Sequence, residues 1–215
     1  MSMPRALFYM YAPIKIVYQV FMLMWMLLVT LPRLDYMVVQ LWRRLASDSQ
    51  LQWPLEWHAD GDDDTGDIAT LLTQQHTDGT IEMRKDRPMF IVSSTSWTAD
   101  EDFSILLDAL ARYDKVATHP EDNASSSSTK RLPRLAVLIT GKGPLRAFYE
   151  NEIRKMGLLR VHVATAWLSA EDYPLVLGSA DLGVSLHTSS SGLDLPMKVV
   201  DMLGCGTPVC SYAFS

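Results

Sequence analysis

Short apolar runs alternate with amphipathic stretches from residue 88 to the end of the chain. Between the runs lie helical patterns, such as the one in which Phe103, Leu106 and Leu110 share a face, and Thr98–Glu101 has the form of a capping box that would start this helix. The runs have the length of strands that are buried on both faces; they are Met89–Ser93, Leu135–Thr140, Val161–Thr165, Leu182–His187 and Pro208–Tyr212. This alternation predicts an α/β fold with a Rossmann-like, doubly wound parallel sheet.

Two different patterns precede this region. Ile16–Leu31 is almost wholly apolar and predicts an N-terminal helix, but it is shorter than the roughly 20 residues that span a bilayer core. A buried helix, an interfacial or re-entrant membrane helix and a true span all remain open. Tyr36–Gln40 predicts a short strand. Residues 41–87 are polar and include the acidic run Asp60–Asp67, which is typical of a disordered or loop-rich linker.

The composition narrows the class of protein. The chain has 215 residues, of which 48% are hydrophobic and 20% charged, and this balance fits a globular protein. A net charge of -6 argues against a nucleic-acid-binding protein that works through a basic face. Cys205 and Cys210 flank a predicted turn, and we interpret them as buried thiols in a reducing compartment rather than a disulfide or metal pair.

A ligand site is predicted where the strands end, because open parallel sheets bind ligands beyond the carboxyl ends of their strands. The serine-rich loop Ser189–Leu195 lies between a strand and a helix, so its backbone N–H groups and the helix N-terminus can cradle an anion. Asp201 lies further along that helix, where a carboxylate can accept hydrogen bonds from a sugar diol. A cradle for phosphate beside an acid for a diol predicts a nucleotide-sugar donor.

Other residues at the same strand ends are added as candidate contacts. Lys198 is either an intrahelical ion-pair partner of Asp201 or a phosphate contact. Lys142 is either a surface residue or a phosphate contact. His187 is either a ligand contact or a half-buried histidine. The candidate donor-binding residues are Ser94, Thr95, Lys142, Trp167, His187, Ser189, Ser190, Ser191, Gly192, Leu193, Asp194, Leu195, Lys198 and Asp201.

Two familiar motifs are excluded by their spacing. Gly141–Gly143 is followed neither by the Gly-Lys-Ser/Thr of a P-loop nor by the third glycine of a dinucleotide-binding fingerprint. His187 near Ser189–Ser191 lacks the Gly-x-Ser-x-Gly turn of a serine hydrolase.

Three segments carry a resemblance to a known family. Val92–Leu107, Ile139–Leu145 and His187–Asp201 resemble GT-B glycosyltransferases and, among these, the chitobiosyldiphosphodolichol β-mannosyltransferase family. The resemblance implies that 88–215 is part of the nucleotide-sugar-binding (donor) half of a GT-B fold. It also implies that 1–40 holds a membrane-associating helix and a remnant of the N-terminal acceptor domain, so that the chain is a truncated form of the family.

The resemblance also implies a reaction. It is the inverting transfer of a β-1,4-linked mannose from GDP-mannose to dolichol-diphosphate-linked chitobiose, at the cytosolic face of the endoplasmic reticulum membrane. The reaction would need no metal or cofactor. Partners in a mannosyltransferase complex are possible. Ser189–Leu195 would cradle the diphosphate, Asp201 would hold the ribose, Trp167 would lie near the guanine, and Lys142 and Lys198 would contact phosphate. The catalytic base is not assigned. The alternatives are a non-catalytic binding or interaction module and a GT-B transferase for another nucleotide sugar.

Overall fold

The structure is a computed structural model that describes residues 37–45, 51, 53–54, 57, 67–119, 132–188 and 196–213. The predicted apolar helix at Ile16–Leu31 lies outside the described residues. By its internal contacts the chain divides into the units Met1–Met37 and Val38–Ser215, and the second unit is described below. Among the described residues, no helix has the length and apolar character that a membrane crossing requires.

The described residues of the second unit start with a helix and three short strands, after which strands and helices alternate. In chain order the elements are α1 (37–45), β1 (Ile68–Ala69), β2 (Thr73–Gln75), β3 (Ile81–Met83), β4 (Met89–Ser94), α2 (Ser104–Thr118), β5 (Leu135–Thr140), α3 (Arg146–Met156), β6 (Val161–Ala166), α4 (Asp172–Gly178), β7 (Leu182–Ser185), α5 (Met197–Gly204) and β8 (Val209–Ser211).

The five strands from β4 to β8 form one parallel sheet with the order β6-β5-β4-β7-β8. Strand β4 lies at its centre, with Ser93 opposite Ile139 of β5 on one side and opposite Val184 of β7 on the other. All residues of β5 are buried, as expected for an inner strand covered on both faces. The predicted α/β class and the parallel, doubly wound sheet are therefore confirmed.

Two apolar clusters cover the two faces of the sheet. Ile91, Val137 and Ile139 pack with the apolar side of α2, including Phe103 and Leu106. On the opposite face, β4, β5 and β6 pack with α4, α5 and the segment that precedes the sheet. Each face thus loses its contact with water, which supplies most of the driving force for folding.

The described part of 41–87 differs from the predicted linker, because it belongs to the apolar core. Trp42 is fully buried, with its ring 4.9 Å from that of Phe90 in an edge-on arrangement, and Trp53 and Trp57 are buried beside the same face of the sheet. These large side chains are spaced among polar residues, so the average composition of the segment concealed them. The predicted strand at Tyr36–Gln40 is also wrong, since residues 37–40 are helical.

A buried arginine organises the small antiparallel sheet formed by β1, β2 and β3. The Arg84 guanidinium donates hydrogen bonds to the carbonyl oxygens of Trp57 (3.0 Å) and Thr70 (2.7 Å) and pairs with the carboxylate of Asp86. A buried guanidinium requires such partners, because an unpaired buried charge is costly. Arg84 therefore fixes the turn-rich segment at several points.

The two cysteines are free thiols, as predicted, but only one is sheltered. Cys205 is half-buried at the end of α5, whereas Cys210 is exposed. The predicted burial of Cys210 is wrong because β8 is the outermost strand of the sheet, where one side of the strand has no neighbour within the described residues.

Candidate functional site

A cleft of about 500 Å³ opens at the carboxyl ends of β4, β5 and β6. The strand order reverses between β4 and β7, so the cleft lies at the position where open α/β sheets bind ligands. Its lining residues come from the ends of these three strands and the loops that follow them, and from α4 and α5; they are Ser94, Thr95, Ser96, Thr140, Gly141, Trp167, Leu168, Ser169, Ala170, Tyr173, Lys198 and Asp201.

The cleft brings together several of the residues predicted from the sequence. Ser94, Thr95, Trp167, Lys198 and Asp201 all line it, although they are separated by more than one hundred positions along the chain. A larger cavity of about 740 Å³ lies against α3 and β6, and none of the predicted residues lines it. We regard the smaller cleft as the candidate site because it lies at the switch point of the sheet.

Two glycines allow the loops after β4 and β5 to lie against each other. A side chain at Gly141 would collide with the carbonyl oxygen of Thr95, and one at Gly143 would collide with that of Ser96, each at 1.7 Å. Trp97 takes a left-handed conformation with φ of 51°, and its indole N–H donates to the Gly141 carbonyl oxygen at 3.3 Å. The cleft wall is therefore backbone packed on backbone, and it depends on the absence of side chains.

Glu101 occupies a place that the sequence did not indicate. The structure starts α2 at Ser104 with Phe103 as its N-cap and no side-chain cap, so the predicted capping box at Thr98–Glu101 is wrong. Instead the Glu101 side chain turns inward, and the residue as a whole is 2% exposed. Its carboxylate accepts hydrogen bonds from the Thr95 hydroxyl and from the Lys198 ammonium group.

Tyr173 lines the cleft and was not predicted from the sequence. Its hydroxyl lies 3.0 Å from Oγ of Ser94, a predicted site residue. Burial raises the pKa of the Tyr173 phenol, and the neighbouring carboxylate of Asp201 raises it further. Burial, followed by the charge of Asp201, likewise raises the pKa of the Cys205 thiol. Both groups stay neutral at physiological pH, so Tyr173 adds no negative charge to a cleft that already contains Asp201.

Two of the remaining candidates, Lys142 and His187, are among the described residues but do not line the cleft. The Lys142 ammonium group lies 4.3 Å from the centre of the Trp167 ring, which is 57% exposed, in a cation–π contact. Nδ1 of His187, at the end of β7, lies 3.8 Å from a carboxylate oxygen of Asp100. The predicted anion-binding loop Ser189–Leu195 lies outside the described residues.

The fold and the cleft define an α/β domain with a ligand-sized cleft at the carboxyl ends of a parallel sheet. Comparisons with known proteins show which proteins the chain resembles. The chain is 53% identical over 150 residues to UDP-glycosyltransferase TURAN of Arabidopsis thaliana, covering 68% of this chain and 32% of that protein. It is 47% identical over 161 residues to the human chitobiosyldiphosphodolichol beta-mannosyltransferase, covering 75% of this chain and 33% of that protein. The resemblance to chitobiosyldiphosphodolichol β-mannosyltransferases is thereby confirmed over the matched residues.

The chain spans about one third of the length of these curated relatives. No protein-family model matches it. Among solved structures, the pneumococcal O-GlcNAc transferase GtfA aligns over 58% of this chain and 21% of that chain, with 11% identity and a TM-score of 0.40.

Proposed function

We propose that the cleft binds GDP-mannose and that this chain supplies the donor side of a β-1,4-mannosyltransferase. The acceptor is dolichol-diphosphate-linked chitobiose, at the cytosolic face of the endoplasmic reticulum membrane, and the transfer inverts the anomeric centre. Relatives that are named for this acceptor and for mannosyl transfer support the proposal. The observation that carries it is that Lys198 and Asp201, two residues of one helix, line the same cleft as Trp167.

Each of these side chains has a role that its chemistry permits. The Lys198 ammonium group offsets the negative charge that develops on the departing diphosphate, which is the main electrostatic demand of the reaction. The Asp201 carboxylate accepts hydrogen bonds from the ribose hydroxyls. The exposed face of Trp167 offers a stacking surface for the base, and its contact with Lys142 places a second cation at the rim.

Two further elements complete the proposed donor site. Ser189–Leu195 cradles the diphosphate through its backbone N–H groups, at the start of the helix that carries Lys198. Ser94, Thr95 and His187 lie at the ends of β4 and β7 and complete the edge of the donor site. The general base that an inverting transfer needs would act on the acceptor, and we assign it to none of the described residues.

Calorimetric titration of the full 215-residue chain tests the proposal directly. The full chain is required because residues before 88 bury one face of the sheet. We expect GDP and GDP-mannose to bind, and we expect Asp201→Asn to weaken binding by about tenfold, since it removes charge-assisted hydrogen bonds. Asp108→Asn, an exposed carboxylate of α2, is the matched control and should bind as the wild type does.

A parallel titration with UDP separates two donor classes. The Arabidopsis relative is named for UDP, whereas the human relative is named for mannosyl transfer. If the chain binds UDP more tightly than GDP, the donor is a different nucleotide sugar and not GDP-mannose. Absence of binding to either nucleotide by a folded sample would refute a donor site in this chain.

A further inference from the structure

A buried carboxylate lies directly behind one wall of the cleft. Thr95 and Lys198 line the cleft, and both donate hydrogen bonds to Glu101, which does not line it. The Thr95 hydroxyl also accepts the backbone N–H of Trp97 at 2.8 Å, so its position is fixed from both sides. Glu101 thus joins the loop after β4 to helix α5, two elements that are 97 positions apart in the sequence.

The ion pair between Glu101 and Lys198 affects how Lys198 binds a ligand. A lysine side chain is a flexible four-carbon stem that ends in a strongly hydrated charge, and a free lysine loses considerable rotamer freedom when it binds an anion. Within the cleft, the Lys198 side chain is 18% exposed and that of Glu101 is 1% exposed. Because the buried carboxylate is also held by the Thr95 hydroxyl, it retains the ammonium group at the wall before any ligand arrives.

We propose that Glu101 is a positioning residue that holds the Lys198 ammonium group in place for the diphosphate of the nucleotide donor. The inference rests on the proposed function. One N–H of the ammonium group is used by Glu101, and a lysine has three such donors, so the others remain available for phosphate oxygens. Lys198 therefore meets the diphosphate with its rotamer already selected, and less of the binding free energy is lost in ordering it.

The substitution Glu101→Gln tests this role without a change of shape. The glutamine carbonyl oxygen can accept from Lys198 while its amide donates to the Thr95 hydroxyl oxygen, so both contacts survive as hydrogen bonds. Only the attraction between the carboxylate charge and the ammonium charge is lost. Glu150→Gln is a matched control, because the Glu150 carboxylate also accepts from a threonine, Thr165, and pairs with a basic side chain, Arg146, but neither of these partners lines the cleft.

The experiment is a double-mutant cycle of GDP binding on the full chain, measured by calorimetry on samples whose thermal unfolding is checked first. Glu101→Gln should weaken GDP binding by about fivefold, because an uncharged amide oxygen holds the ammonium group less firmly than a carboxylate does. Lys198→Met should weaken it at least as much. In the Lys198→Met background, Glu101→Gln should have no further effect, and Glu150→Gln should leave GDP binding unchanged.

Three results would overturn the inference. An increase in GDP affinity in Glu101→Gln would mean that Glu101 competes with the diphosphate for Lys198. An equal loss in the presence and absence of Lys198 would mean that Glu101 only supports the loop. Normal GDP binding by Lys198→Met would show that Lys198 does not contribute to binding, so that Glu101 would have no ligand-binding group to position. Failure of the wild-type chain to bind GDP or UDP is a separate outcome, which refutes the proposed function and the inference with it.

Discussion

Replacing Trp42 tests whether the segment before the parallel sheet is part of the folded unit. Trp42 is 0% exposed and packs edge-on against Phe90 of the central strand, so Trp42→Ala removes a large part of the contact between α1 and the sheet. Truncating a buried tryptophan costs about 3–5 kcal/mol. The indole N–H of Trp42 has no hydrogen-bond partner among the described residues. Because a buried, unpaired donor is itself destabilising, removing it offsets part of the lost free energy of unfolding.

We therefore expect a loss of about 3 kcal/mol in the free energy of unfolding, at the lower end of that range. For a domain of this size, such a loss lowers the melting temperature by about 6–12 °C. Trp42→Phe keeps an aromatic ring in the core and removes the unpaired N–H, so its loss should be clearly smaller. Trp167→Ala, at an exposed position, should change the free energy of unfolding by less than about 0.5 kcal/mol.

Urea denaturation followed by far-ultraviolet circular dichroism is the suitable assay. Tryptophan fluorescence is unsuitable, because the chain has six tryptophans and each variant removes one of them. If Trp42→Ala unfolds at the same urea concentration as the wild type, the burial of α1 is refuted, and the segment is a linker as its composition suggested.

Three further predictions concern the sheet and the cleft. Asp114 Oδ1 accepts hydrogen bonds from the backbone N–H groups of three consecutive residues, 159 to 161. Asp114→Ala should therefore reduce the free energy of unfolding, measured by urea denaturation, by about 3 kcal/mol. A change below about 1 kcal/mol would contradict this role. Burial raises the pKa of Asp181, but hydrogen bonds from Arg87 and from a backbone N–H outweigh it and lower the pKa overall. The stability that Asp181 contributes is therefore present above its unfolded pKa of about 4 and is lost as pH falls below that value. The stability difference between wild type and Asp181→Asn should shrink from pH 6 to pH 3, and a constant difference would refute this linkage. Gly141 has a φ of 147°, and the methyl group of Gly141→Ala would collide with the Thr95 carbonyl. GDP binding measured by calorimetry should therefore be lost or reduced by more than about tenfold. Normal binding would show that the loops after β4 and β5 can separate.

The sheet could be predicted from the sequence because its strands are short, apolar on both faces and separated by amphipathic helices. Strands β4, β5 and β6 begin at the predicted residues and end within one residue of the predicted ends. The start of α2 could not be predicted in the same way. Thr98–Glu101 has the residue types of a capping box, but the Glu101 carboxylate gains more from the Thr95 hydroxyl and the distant Lys198 than from the local backbone.

The candidate site shows the same division between local and long-range information. The rule that ligands lie at the carboxyl ends of parallel strands predicted Ser94 and Trp167 at one edge of the sheet, and both line the cleft together with Asp201, which was predicted from its helix. Tyr173 was missed because it lies in the first turn of α4, and only the packing of that helix brings its hydroxyl to Ser94. Glu101 was missed because it is buried behind the cleft, and its partner is 97 positions away.

The central position of β4 affects how the chain folds during its synthesis. Its partner on one side, β7, is made about ninety residues later, and contacts such as the hydrogen bond from the Ser93 hydroxyl to the Val184 carbonyl cannot form before then. Until β7 leaves the ribosome, one hydrogen-bonding edge of an apolar strand is open to other nascent chains. Chaperones that bind emerging apolar segments would therefore act on this protein between the synthesis of β4 and that of β7, and slower elongation over that interval would lengthen its exposure to aggregation.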